Sequence, residues 1–174
     1  MKNTRIIFGL IFLPFFSHAQ LKPGYDKSEA AELLKVNFRF VDSLKWDSLP
    51  GPERFQFKYR SPALGFDNKW DYWEDKDGVG VLSLRGTTGT FSSWGANFYA
   101  GMVPAKGWIK ISEKDTFHYE LSKDPKALVH VGWTTALGCL WKDMDSLLFA
   151  QIDRGKKEFF ITGHSQGGVL AYLL

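Results

Sequence analysis

The chain has 174 residues, of which 44% are hydrophobic, 24% charged and 16% aromatic. This is the make-up of one globular domain, not of a disordered, collagenous or coiled-coil chain. A single cysteine, Cys139, excludes an internal disulfide and a multi-cysteine zinc site. The formal charge of +3 falls by two, to +1, once Lys2 and Arg5 of the opening segment are set aside, so the balance makes no case for nucleic acid or an anionic membrane surface as partner.

The first residues, MKNTRIIFGLIFLPFFSHAQ, read as a secretory address. Lys2 and Arg5 make a basic start, Ile6 to Phe16 an apolar run, and Ser17 to Ala19 a small-residue cleavage site, which predicts a signal peptide over 1–19. The run is well short of the roughly 20 residues that span a bilayer. The domain proper is then 20–174, secreted or periplasmic. In such a compartment a lone cysteine fits as a protected thiol, or pairs with a cysteine of another chain or beyond this sequence.

Asp26 to Glu29 precede Ala30, Leu33, Leu34, Val41 and Leu44 at helical spacing, predicting a helix over 27–45. Leu49 to Pro52 is a loop. Phe55, Phe57 and Tyr59 alternate, predicting a strand over 55–60. The stretch 65–77 sets Trp70, Tyr72 and Trp73 among charges and ends in a turn at Asp77-Gly78. Its acids, Asp67, Asp71, Glu74, Asp75 and Asp77, lack any calcium-loop spacing and read as a solvated loop. Val79 to Leu84 predicts a buried strand, followed by a polar turn over 85–90. Shorter strands are predicted at 108–111 and 116–121.

Leu137, Leu140, Trp141, Met144, Leu147, Leu148 and Ile152 recur every three or four residues, predicting a helix over 132–154 that Gly155 ends. Glu158 to Thr162 predicts a strand, Gly163 to Gly168 a glycine-rich turn, and Val169 onward a helix. Strand, helix, strand, helix in this order predicts an α/β fold, with a mostly parallel sheet and flanking helices.

Gly163-His164-Ser165-Gln166-Gly167 is a G-x-S-x-G pentapeptide between an apolar strand and an apolar helix. A serine forced into so sharp a turn takes a strained backbone, and glycines two residues to either side leave room where a Cβ would clash. The serine hydroxyl then projects above the sheet. The Gln166 N–H, at a helix N-terminus, can donate to a developing oxyanion. The Gly-Lys-Ser/Thr of a phosphate loop and the spacing of a dinucleotide turn are both absent.

ITGHSQGG resembles the nucleophile elbow of the class 3 lipases, the fungal-lipase-like branch of the α/β-hydrolases. VLSLRGTTGTFSSW is similar to that family's strand and Arg-Gly-Ser/Thr turn, and VHVGW to its His-x-Gly-aromatic start of the helix before the elbow. The resemblance runs from about Val79 to Leu174. It implies Ser165 as the acyl-accepting nucleophile, with Thr87 and Gln166 as the oxyanion hole and Gly163 and Gly167 as the elbow glycines. The family more often has leucine at the Gln166 position, a change that leaves backbone donation intact. The resemblance implies no metal or organic cofactor, an ester or lipid substrate and transient contact with a lipid interface; oligomeric state stays open. The family's lid falls on Phe91 to Val103, with Phe91, Trp94, Phe98, Tyr99 and Met102. An apolar flap over an acyl pocket and ordinary core packing are both open readings there.

A serine nucleophile needs a base and an orienting acid, in chain order Ser, Asp or Glu, His. Nine residues follow Ser165, and none is acidic or histidine. His18 leaves with the signal peptide. His164 neighbours the serine but points away at such a turn, His118 lies in an expected strand, and His130 matches a structural histidine of the family. The expectation is therefore an incomplete α/β-hydrolase fold, cut just after the elbow, whose triad Asp and His lie beyond residue 174. The full-length protein would be a carboxylic ester hydrolase and the fragment alone inactive. The other reading is a non-catalytic binding or surface protein on a hydrolase scaffold.

Overall fold

The computed structural model of the chain describes residue 21, residues 23–40 and residues 49–174. The signal-peptide segment lies outside these residues. Helix α1 (Lys27–Phe38) starts where expected because the Asp26 carboxylate caps it, accepting from the Ser28 and Glu29 N–H groups at 2.8 and 2.9 Å. A turn follows Phe38, and 41–45 of the expected helix are outside the described residues.

Three strands come next, β1 (Gln56–Arg60), β2 (Trp70–Glu74) and β3 (Gly80–Leu84). The charged stretch around Trp70, expected as loop, is thus a strand. Asp71 is fully buried and held by Arg60 in a two-pronged ion pair at 2.8 and 2.7 Å. Asp75 is also buried, and it closes the tight turn into β3. Its carboxylate accepts from the Asp77 and Val79 N–H groups, both at 2.9 Å, and from Arg54. Burial of these carboxylates is tolerated because each is paired.

After β3 come α2 (Phe91–Phe98), β4 (Met102–Pro104), a hairpin of β5 (Lys106–Lys110) and β6 (Thr116–Glu120), β7 (Leu128–His130) and the long α3 (Val131–Asp153). The chain then enters β8 (Phe159–Gly163) and α4 (Gln166–Leu173). Helix α2 and the short β4–β7 pair carried no readable periodicity in the sequence.

The central sheet has the order β1-β2-β3-β8. The expectation of a mostly parallel sheet fails for these strands: β1–β2 and β2–β3 are antiparallel, and β3–β8 alone is parallel. Connection length is the reason. The links between the first three strands are too short for a crossover and close as hairpins, whereas the long route through α2 and α3 returns the chain in the same direction. In the parallel register Leu84 stands opposite Gly163, so β3 and β8 end side by side.

Both faces of the sheet are covered. Trp70, Tyr72, Leu82 and Leu84 pack against Ala136, Leu137, Leu140 and Met144 of α3 and Leu170 of α4. On the other face Trp73 and Val81 meet Val36 of α1 and Phe55. This is why all five residues of β3 are buried and the strand reads as an unbroken apolar run with no alternation.

Candidate active site

Ser165 sits between the end of β8 and the first residue of α4, at φ 56° and ψ −126°. Asp67 and Ser165 alone, among the described non-glycine residues, have positive φ. Such backbone costs about 1–3 kcal/mol and persists only where the surroundings impose it. They do so here through close approach. A Cβ on Gly163 would stand 2.3 Å from the Gly167 backbone, and one on Gly167 2.0 Å from the Leu84 carbonyl oxygen. The Ser165 side chain is exposed and makes no capping bond to α4. The Gln166 N–H is the first of the helix and has no partner within it.

The turn after β3 lies against this elbow. A Cβ on Gly86 would be 2.6 Å from the His164 carbonyl oxygen and 3.4 Å from Ser165 Cβ, so Gly86, the residue before Thr87, lies against the elbow. Asp67 braces the turn. Its Oδ1 accepts from the buried Arg85 at 2.9 Å, and its Oδ2 from the Thr88 and Thr90 hydroxyls at 2.8 and 3.2 Å. The Arg85 guanidinium also donates to the Asp67 carbonyl. Burial pushes the Asp67 carboxyl up, but the Thr88 hydroxyl and the Arg85 charge outweigh it and hold it below its ordinary value.

A second polar group, not foreseen from sequence, ties the two halves together. Asn97 of α2 donates to Thr87 Oγ1 at 3.0 Å and accepts from the Trp133 indole at 3.0 Å and from the Gln166 amide at 3.3 Å. The Asn68 amide donates to Gln166 Oε1 at 3.3 Å. The one sequence signal was polarity out of place: an asparagine in the apolar run FSSWGANFYAGM and a glutamine where the resemblance puts leucine.

The structure separates the remaining candidates. His130 caps α3, its Nδ1 accepting from the Trp133 N–H at 3.3 Å, and its ring stacks on Trp133. His118 is exposed on β6 opposite Trp108. His164 is exposed beside the serine. Of the two readings of 91–103, core packing does not hold. Phe91, Trp94, Phe98, Tyr99 and Met102 are all exposed, Phe91 at 92%, and only Ser93 and Ala96 of α2 are buried. A cavity of about 420 Å³ opens beside the Arg85–Gly89 turn, walled also by Leu34, Phe38 and Phe40 and by His164. Among the described residues no group of acidic, histidine or cysteine side chains is placed to hold a metal ion, and no helix is long and apolar enough to cross a membrane.

The fold is of the fungal-lipase kind. One similar solved structure is a fungal lipase in complex with an inhibitor, described as a model for interfacial activation in lipases, with a TM-score of 0.58 at 16% identity. The match covers 82% of this chain and 51% of that one, so the chain spans about half the length of that lipase. No curated protein gave a significant match. The family model for lipase (class 3) matches residues 81–174, more than half of the chain. The chain belongs to the class 3 lipase family.

Proposed function

We propose that the protein is a serine ester hydrolase, a lipase or carboxylesterase that works through an acyl-enzyme on Ser165. The observation that carries the reading is the strained, exposed serine at the β8–α4 turn. Strain of that kind marks sites where geometry serves chemistry rather than packing. Ser165 Oγ attacks the ester carbonyl carbon and gives up its proton to a base. The N–H groups of Thr87 and Gln166 face the oxyanion that forms. Collapse expels the alcohol, which takes the proton, and water repeats the sequence to free the acid.

His130 is committed to the cap of α3 and His118 to the outer face of the hairpin, so neither is taken as the base. The exposed aromatics of α2 support an apolar acyl group and transient contact with a lipid interface. The basic start and short apolar run of residues 1–19 support export.

The test uses the full-length gene product and a fluorophosphonate probe. The expected result is covalent labelling of the wild type, none in Ser165→Ala, and hydrolysis of p-nitrophenyl butyrate by the wild type alone. A folded full-length protein that ignores both reagents overturns the enzyme reading and leaves a hydrolase scaffold used for binding.

A further inference from the structure

The polar group that crosses the site can be oriented from one fact of chemistry. An indole nitrogen only donates, so the Asn97 atom 3.0 Å from Trp133 Nε1 is the carbonyl oxygen. The Asn97 nitrogen then faces Thr87 Oγ1 and donates to it. Gln166 meets the same Asn97 oxygen and must offer its amide nitrogen. That turns the Gln166 oxygen toward the Asn68 amide nitrogen, which donates to it. The consequence falls on Thr87. Its oxygen already accepts from Asn97, so its one hydroxyl proton is directed away from Asn97.

We infer that the side chain of Gln166 is a positioning residue: with Trp133 it holds Asn97 in the orientation that leaves the Thr87 hydroxyl a donor toward the oxyanion. This rests on the reading of Ser165 as nucleophile. It adds a role for the side chain of the residue after the serine, beside that of its backbone N–H. Gln166 and Asn68 are buried, at 3% and 1% exposure. Buried amides are kept only where they are hydrogen-bonded, and leucine would fill the Gln166 site without supplying either bond.

The experiment measures p-nitrophenyl butyrate hydrolysis by the full-length protein. Gln166→Leu lowers kcat about tenfold and leaves KM unchanged. Gln166→Glu opposes its carboxylate to the Asn97 oxygen when ionised and donates to it when protonated. Its rate relative to wild type at the same pH therefore rises as pH falls, which a merely loosened fold does not reproduce. In a Thr87→Val background, which lacks the hydroxyl, adding Gln166→Leu has no further effect. An unchanged kcat in Gln166→Leu, or an equal fall in the Thr87→Val background, overturns the inference. If the wild type neither hydrolyses ester nor takes the probe, the nucleophile reading has failed and the oxyanion role falls with it. Amide hydrogen exchange over 91–98 in Gln166→Leu then decides the anchoring of Asn97: faster exchange supports it, and unchanged exchange overturns it.

Discussion

Ser165 is a residue whose backbone and side chain serve different ends. At φ 56° any side chain with a Cβ is strained, and glycine is not. Two variants that both lack the hydroxyl separate the effects. Ser165→Gly is expected to be about 1 kcal/mol more stable than Ser165→Ala, because relief of strain exceeds the added freedom of the unfolded chain. Chaotrope unfolding of the two checks it, and equal midpoints would show that the elbow is relaxed. The elbow was legible in the sequence because its parts lie within five residues. The brace around it was not. Gln166 reaches Asn97 and Asn68 across 69 and 98 positions, and Asp67 reaches Thr88 across 21. No local pattern records such pairs.

At the scale of the element, β2 shows how a buried charge hides a strand. WDYWE carries two acids in five residues, and charge reads as solvent. Burial on both faces also removes the alternation that marks a half-buried strand. The missing information was Arg60 on the neighbouring strand, eleven residues away. Burial pushes the Asp71 carboxyl above its ordinary value, and Arg60 offsets this only in part. Arg60→Ala leaves that carboxyl buried without its ion-pair partner and is expected to cost about 3 kcal/mol at neutral pH. The sign of the pH effect follows. A buried acid with a raised value suffers most when ionised, so the deficit grows as pH rises through that value and shrinks on acidification. Chemical denaturation at pH 7 and pH 5 tests it; a deficit equal at both is the contrary result. Helix α3 was the opposite case. Its apolar spacing faced one core, and Leu137, Leu140 and Met144 are buried as that spacing implied.

Across the whole molecule, carboxylates tie one element to another. Glu32 of α1 accepts from the Glu53 and Arg54 N–H groups ahead of β1, at 2.7 and 2.8 Å. Glu74 at the end of β2 pairs with Lys156 after α3 at 2.7 Å. Asp67 joins the β1–β2 loop to the turn after β3. Burial raises all three, but Lys35 and the backbone donors at Glu32, Lys156 and Tyr72 at Glu74, and Thr88 and Arg85 at Asp67 outweigh it, so all three stand below their ordinary values. Depressed folded values mean stability that is complete above the ordinary carboxylate range and lost as pH falls through them. Unfolding free energy is therefore expected to hold level above about pH 5 and to drop below about pH 4. If stability instead rises on acidification across that range, the buried Asp71, which titrates in the other sense, dominates the balance. The three-layer arrangement itself was readable only in part. Most helices and strands were readable, but β2, α2 and the β4–β7 pair were not, and pairing direction depended on how far the chain travels between strands.

The register that sets Leu84 opposite Gly163 also governs which length changes this scaffold tolerates. The Thr87 turn leaves one strand end and Ser165 the adjacent one, so their spacing is fixed by hydrogen bonds between two neighbouring rows of backbone. One residue inserted between Leu84 and Thr87, or between Thr162 and Ser165, moves one partner by about 3.3 Å against the other. The thirty or so residues between α2 and α3 enter no such measurement. Homologues are free to lengthen, shorten or replace the hairpin there, and with it whatever surface it presents, without altering the distance between the Thr87 turn and the serine.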